Sequence, residues 1–222
     1  MAWRVVGAIN AGLSHEMNFP IGNEAALNRL ETRFRTRWGT NSFGLYKGCV
    51  GAIDGLVIKI KRPSNSRHHC PQSFFCGRYK CFGIAFQVIV GPDCEFLWSY
   101  GNAPGSVHDS VAFGMSQLYT RLKNNALSAK WHLAGDGAYC DESWLFTPYP
   151  EPRVGKQPAD RDAFNWVHSS HRQCVERAFG ACAFRARPSA SLPLAAPISH
   201  VSSGRDRTRS RPPHQACSSG AG

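Results

Sequence analysis

Charged residues are scarce in this chain. They make up 18% of 222 residues against 42% apolar, which excludes a largely disordered protein and leaves enough apolar surface for one large domain or two small ones. Long hydrophobic runs are missing too. The longest, residues 81–90, contains Gln87, and a membrane span needs about twenty apolar residues, so a transmembrane protein and a membrane partner are excluded. A secretory leader is faint at best: Arg4 is a thin basic start, and Asn10 interrupts the apolar stretch of residues 2–13. The nine cysteines are odd in number and irregularly spaced, which argues against a secreted disulfide framework and for a reducing compartment. Internal repeats are absent.

Acids are the scarcest charged type. Fifteen Asp and Glu face twenty-six Lys and Arg, a formal charge of +11 with a pI near 9.5. A field of that sign draws polyanions, of which nucleic acid is the commonest inside cells. From Arg185 onward there are six arginines and one acid, a net +5, so the remainder keeps +6. Residues 186–222, rich in Pro, Ser, Ala and Arg without periodicity, read as a disordered basic tail.

The patterning predicts a helix over 24–38, with Ala26, Leu27, Leu30, Phe34 and Trp38 at helical spacing and Arg29, Arg33, Arg35 and Arg37 among them. Residues 56–62 alternate as a strand, 82–90 read as a buried strand closed by Gly91-Pro92-Asp93, and 95–100 as a third strand. Ser106-Val107-His108-Asp109 has the form of a capping box ahead of one helix with Val111, Met115, Leu118 and Leu122 on a stripe. A short strand over 131–134 ends at Gly135-Asp136-Gly137, and a Pro-rich loop over 148–158 precedes a helix capped by Asp162 and running to about Phe179. This succession predicts an α/β fold with a mixed sheet and flanking helices, as in a ribonuclease H-like core.

The placement of the few acids carries the functional argument. Asp54 shares strand parity with Leu56, Ile58 and Ile60, so it reads either as a carboxylate on a half-apolar face, in need of a partner, or as the Asp-Gly of a hairpin turn. Asp136 lies between two glycines at a strand end, where ligands gather in mixed sheets; an ordinary turn is its plainer role. Glu176 falls beside the apolar stripe of the last helix, with Arg172 one turn earlier as a possible ion-pair partner. Asp109 has a ready role in the capping box. Two ionised carboxylates about 4 Å apart repel by roughly 4 kcal/mol at an effective dielectric of 20, so a converging set needs cations. Hard oxygen ligands suit Mg²⁺ or Mn²⁺, and a pair of such ions clamps the attacking and leaving oxygens of a phosphodiester.

Read together, Gly48-Cys-Val-Gly-Ala-Ile-Asp54-Gly, Pro104-Gly-Ser-Val-His-Asp109-Ser, Gly135-Asp136-Gly-Ala-Tyr with Leu145-Phe-Thr-Pro-Tyr149, Phe164-Asn with His168-Ser, and Val175-Glu176-Arg-Ala-Phe-Gly180 resemble the DDE endonuclease domain of PIF/Harbinger-type transposases and their domesticated nuclease relatives. The resemblance runs from Gly48 to Gly180. It implies a ribonuclease H-like fold, a catalytic triad of Asp54, Asp136 and Glu176, and Asp109 as a further metal-binding acid. It also implies two divalent cations, DNA as substrate, strand cleavage by activated water followed by strand transfer, and a nuclear location, with the cytoplasm as a second one. A separate DNA-binding protein and a homo-oligomer stay open as partners. Against that pattern, residues 1–47 correspond to a short helical remnant, 48–185 to the endonuclease domain, and the departure after Gly180 reads as a truncation or an altered reading frame. A catalytically dead relic that keeps DNA or protein binding is the alternative function.

Lys59, Lys61, Arg62, Arg78, Lys80 and Arg172 are the expected phosphate contacts, with solvated strand edges as the plainer reading of the first five. His68, His69, Cys70, Cys76 and Cys81 cluster between two strands, but zinc sites favour tighter Cys pairs, so a loop with incidental thiols is preferred to a zinc module. His168 and His171 read either as groups near the site or as core histidines.

Overall fold

The computed structural model describes residues 17, 19–37, 47–64, 70–124, 126–152 and 155–185. The expected disordered tail lies outside them. Helix α1 (Glu24–Arg37) starts where the Asn23 side chain accepts the Ala26 N–H at 3.0 Å, and it buries Leu27, Leu30 and Phe34. Strand β1 (Cys49–Lys59) is the longest, and it pairs antiparallel with β3 (Cys81–Val90), whose other neighbours are β2 (Phe75–Cys76) and β4 (Phe96–Pro104). On its other edge β1 runs parallel to β5 (His132–Ala134), which runs parallel to β6 (Leu145–Phe146). The order β4-β3-β1-β5-β6, antiparallel on one side of β1 and parallel on the other, is the ribonuclease H-like mixed sheet that the sequence predicts. A 3-10 turn (Pro71–Phe74) precedes β2, and helices α2 (Asp109–Gly114), α3 (Gln117–Lys123) and α4 (Ala159–Arg185) complete the described elements.

Two apolar clusters lie on opposite faces of the sheet. Ile53 and Ile89 pack with Phe113, Leu118, Leu122, Tyr139 and Trp144. Ala52, Val88 and Val90 pack with Phe34 and with Val167, Cys174, Val175 and Ala178 of α4. Fully burying a side chain of this size stabilises by about 1.5–3 kcal/mol, so the two clusters fix both helix layers on the sheet. Gly48 sits at the start of β1 with φ +91°, and a Cβ there would stand 2.0 Å from the Lys130 carbonyl oxygen. The loop before β5 can therefore reach β1 only because this residue is glycine.

Several local expectations are corrected. β1 begins at Cys49, not at residue 56, so Asp54-Gly55 lies inside a strand and is no hairpin turn. The capping box does not form: His108 is the N-cap of α2 without a side-chain bond, and the Asp109 carboxylate is engaged elsewhere. The single helix after it is two, because the Ser116 hydroxyl caps a new helix by accepting the Tyr119 N–H at 3.0 Å. The break turns Val111 and Met115 out to solvent and buries Ala112 and Phe113 in their place. α4 starts at Ala159, its first turn accepting the Asp162 N–H at the Pro158 carbonyl, so Asp162 is inside the helix.

Candidate active site

β5 pairs with β1 only as far as Ala52, so among the described residues the edge of β1 beyond that point has no strand neighbour. Asp54, Asp136 and Asp109 lie around this free edge, near enough for the Asp136 charge to act on both other carboxyls. Asp54 stands opposite Val88 in the β1–β3 register and shares the face of Ala52 and Val88, towards α4. Its Oδ1 accepts the Gly55 N–H at 2.8 Å, and its Oδ2 accepts from Arg172 Nη2 at 2.9 Å. Burial pushes the Asp54 carboxyl up to about 6; the nearby Asp136 and Asp109 charges push the same way, and Arg172 and the Gly55 N–H oppose them. Arg172 is itself buried, and its Nε has no hydrogen-bond partner among the described residues.

Asp136 follows the last residues of β5. Its Oδ1 accepts the Ala138 N–H at 2.9 Å, a tight side-chain turn that fixes the carboxylate at the strand end, and its carbonyl accepts the Tyr139 N–H. Asp109 comes from the other face, at the start of α2. Its Oδ1 accepts from Gln87 Nε2 at 2.8 Å, and the Gln87 Oε1 accepts from the Tyr139 hydroxyl. Gln87 is fully buried in the middle of β3, directly opposite Gly55. A Cβ on Gly55 would stand 1.8 Å from Asp109 Oδ1, so the missing side chain is the space the carboxylate occupies. Burial raises the Asp109 carboxyl, and Asp136 adds to it, while Gln87, Arg78 and His108 pull it down.

Three carboxylates far apart in sequence thus lie near one sheet edge, within reach of one another's charge. The donors are hard anionic oxygens, the kind that suits Mg²⁺ or Mn²⁺. In spacing they are looser than an ion requires: among the described residues no three His, Cys, Asp or Glu side chains converge closely enough to hold a metal. The cation on Asp54 is Arg172. Glu176 is exposed, one turn further along α4 than Arg172 and so on the same side of that helix.

The other expected site residues separate into groups. Lys59, Lys61, Arg62, Arg78 and Lys80 are all exposed, around the end of β1 and the β2–β3 turn. Arg172 does not join them, since its charge faces Asp54 and not solvent. His168 and His171 are core residues. His168 Nε2 donates to the Gly135 carbonyl at 2.6 Å and stacks on Phe164, and burial pushes its pKa down to about 4. His171 Nδ1 bonds the Val167 carbonyl at 2.9 Å and stacks on Phe34. Of the thiol cluster, Cys70 is exposed, Cys76 is buried, Cys81 is half-buried and all three are free, while His68 and His69 lie outside the described residues. Sequence reasoning missed Gln87, Tyr139 and Gly55 as neighbours of the acids; the one visible trace was a lone amide in the most apolar run of the chain.

A family described as DDE superfamily endonuclease matches residues 53–193. The chain is 25% identical over 191 residues to "Protein ALP1-like" of Arabidopsis thaliana, a match that covers 80% of this chain and 43% of that protein. The chain therefore spans less than half the length of this curated relative. No solved structure matches it.

Proposed function

This chain belongs to the DDE superfamily endonuclease family, with the motifs of its PIF/Harbinger-type members, and from that membership we propose that it is a divalent-metal-dependent DNA endonuclease of the transposase type. The observation that carries the reading is that Asp54, Asp109 and Asp136 lie around the free edge of β1, where the Asp136 charge adds to burial in raising the carboxyls of both Asp54 and Asp109. Asp54 and Asp136 would hold two Mg²⁺ or Mn²⁺ ions, with Asp109 beside them and Glu176 as the third member of the triad. Such ions, when bound, activate water and stabilise both oxygens of an in-line phosphodiester displacement. The chain's own part is to present the oxygens. The Ala138 N–H fixes Asp136, Gln87 fixes Asp109, and Arg172 keeps Asp54 ionised until a cation replaces it. Lys59, Lys61, Arg62, Arg78 and Lys80 would hold flanking phosphates. A DNA substrate goes with a nuclear location, and strand transfer goes with a second copy or a separate DNA-binding protein.

The test is Mn²⁺-dependent nicking of supercoiled plasmid by the full chain. D54N and D136N should abolish nicking while circular dichroism shows the fold retained; normal nicking by either variant would remove the assignment. Manganese at a hundred times its dissociation constant should also stabilise the wild type by about 2.7 kcal/mol, and D54N by less. A second reading, a relic that binds DNA without cutting it, is favoured by the Arg172 guanidinium on Asp54 and by the wide spacing of the acids. It predicts salt-sensitive DNA binding with no nicking in any metal.

A further inference from the structure

Between Gly55 and Pro92 the sequence has no acidic residue and six basic ones: Lys59, Lys61, Arg62, Arg67, Arg78 and Lys80. The structure folds the described part of this stretch into the end of β1 and a short hairpin in which Phe75 pairs with Phe82 and Cys76 with Cys81. Aromatic rings come with the charge. Phe75 is 37% exposed and stands edge-on to Phe82, with centroids 5.3 Å apart. The Arg62 guanidinium lies 5.7 Å over the Phe82 ring, and that of Arg78 lies 5.6 Å over the Tyr79 ring. One exposed ring alone is unremarkable on a protein surface. An exposed ring beside two ring–guanidinium pairs, in a lobe without a single carboxylate, matches the two things a nucleotide offers: a flat π-face and a phosphate.

Duplex DNA hides its base faces in the stack, and a basic surface alone suffices to bind its phosphates. The rings have work only where bases are unpaired. The hairpin also borders the acids: the charges of Asp109 and Asp54 act on the Tyr79 phenol, and Arg78 acts on the Asp109 carboxyl.

We propose that the β2–β3 hairpin is a binding surface for an unpaired DNA strand. Bases stack on Phe75 and on the Phe82–Arg62 and Tyr79–Arg78 pairs, while Lys59, Lys61 and Lys80 take the phosphates. The choice of DNA over RNA rests on the proposed endonuclease reading; the stacking does not.

The experiment is fluorescence anisotropy of the full chain with labelled oligo-dT, oligo-U, an abasic oligodeoxynucleotide and a duplex of the same length. EDTA is present throughout, so that binding is read apart from any metal or cleavage. Oligo-dT is expected to bind more tightly than the abasic strand and the duplex. F75A is expected to weaken oligo-dT binding about tenfold, a single lost stacking contact, and to leave the abasic strand and the duplex unchanged. F75W should restore it, which a folding defect would not allow. K61Q should reduce the salt dependence of oligo-dT binding by about 0.7 in the log–log slope. Equal affinity for abasic and base-bearing strands, or an F75A effect on duplex as large as on oligo-dT, would overturn the stacking surface. Tighter binding of oligo-U than of oligo-dT would overturn the choice of DNA. Base-dependent binding by a chain that never nicks plasmid would leave this inference standing and remove the endonuclease.

Discussion

Asp54 and Asp109 stand on opposite faces of β1 and are kept out of water in different ways. Asp109 is held by neutral groups. Gln87 donates to its Oδ1, the Tyr139 hydroxyl donates to the Gln87 amide oxygen, and Gly55 leaves room for it. Asp54 has a charged partner besides the Gly55 N–H: one Arg172 nitrogen reaches one oxygen, the Arg172 Nε is left unpaired, and the carboxyl still rests near 6. The first arrangement is rigid, because moving Asp109 would strand a buried amide and then a buried hydroxyl. The second is exchangeable. A guanidinium bonded at one point, with its own hydrogen-bonding capacity unfilled, loses little when another cation takes its place. Of the two carboxylates, Asp109 is fixed in its geometry and Asp54 is loosely paired.

The largest effect should come from breaking the charged pair. R172M would leave Asp54 buried without its cation, and removing one partner of a buried pair costs about 3–5 kcal/mol. Replacing both groups in D54N/R172M should recover most of that loss in urea denaturation. If R172M alone is as stable as the wild type, Arg172 is not what balances Asp54, and the contrast between the two acids disappears.

The next effect is in pH. Since the folded Asp54 titrates near 6 and its ordinary value is 3.8, the folded chain retains a proton that the unfolded chain has already lost. Stability therefore rises as pH falls from about 6 towards about 4, and at neutral pH the full cost of the buried charge is present, on the order of 3 kcal/mol. D54N should flatten this slope in thermal melts between pH 4 and 7. Asp109 is raised in the same direction, so D54N/D109N should flatten it further. A wild-type profile that falls on acidification through this window would contradict the burial of both groups.

The neutral network should respond more mildly. Y139F removes one hydroxyl and leaves the ring edge-on to Phe113, but it strands the Gln87 oxygen in the core, a loss of about 1–3 kcal/mol. The Gln87 side-chain amide protons, seen by NMR, should then exchange with water faster than in the wild type. Equally fast exchange in the wild type would show that Asp109 is not held in this way.

These differences explain which parts were legible in the sequence. The buried strand over 82–90, the basic character of the hairpin and the turn after Val90 follow from local composition, and they stand in the structure as read. The start of β1 did not show, because Val50, Gly51, Ala52 and Ile53 are all buried and so lack the alternation that marks a half-exposed strand. The split between α2 and α3 turned on one hydroxyl, Ser116, inside a stretch whose apolar spacing fits a continuous helix. The partner of Arg172 was illegible for a different reason. Glu176 is near it in sequence, whereas Asp54 lies 118 residues away, and no local pattern announces a contact of that range. A triad of Asp54, Asp136 and Glu176 with Asp109 beside it was an expectation from motifs, whereas the support of Asp109 by Gln87 and Tyr139 was not.

Glu176 gives the smallest expected change in stability and the sharpest test of the site. Its side chain is exposed on α4, so E176Q should shift the urea midpoint by less than about 0.5 kcal/mol in free energy, as surface substitutions do. If it is the third member of the triad, the same substitution should abolish Mn²⁺-dependent nicking and reduce the metal-induced rise in melting temperature. A residue with no part in folding that is required for metal binding would mark the exposed end of the pocket, where a cation enters and Arg172 is displaced. Unchanged nicking by E176Q beside inactive D54N and D136N would confine the chemistry to the three aspartates, with Asp109, the rigidly held one, in the place assigned to Glu176.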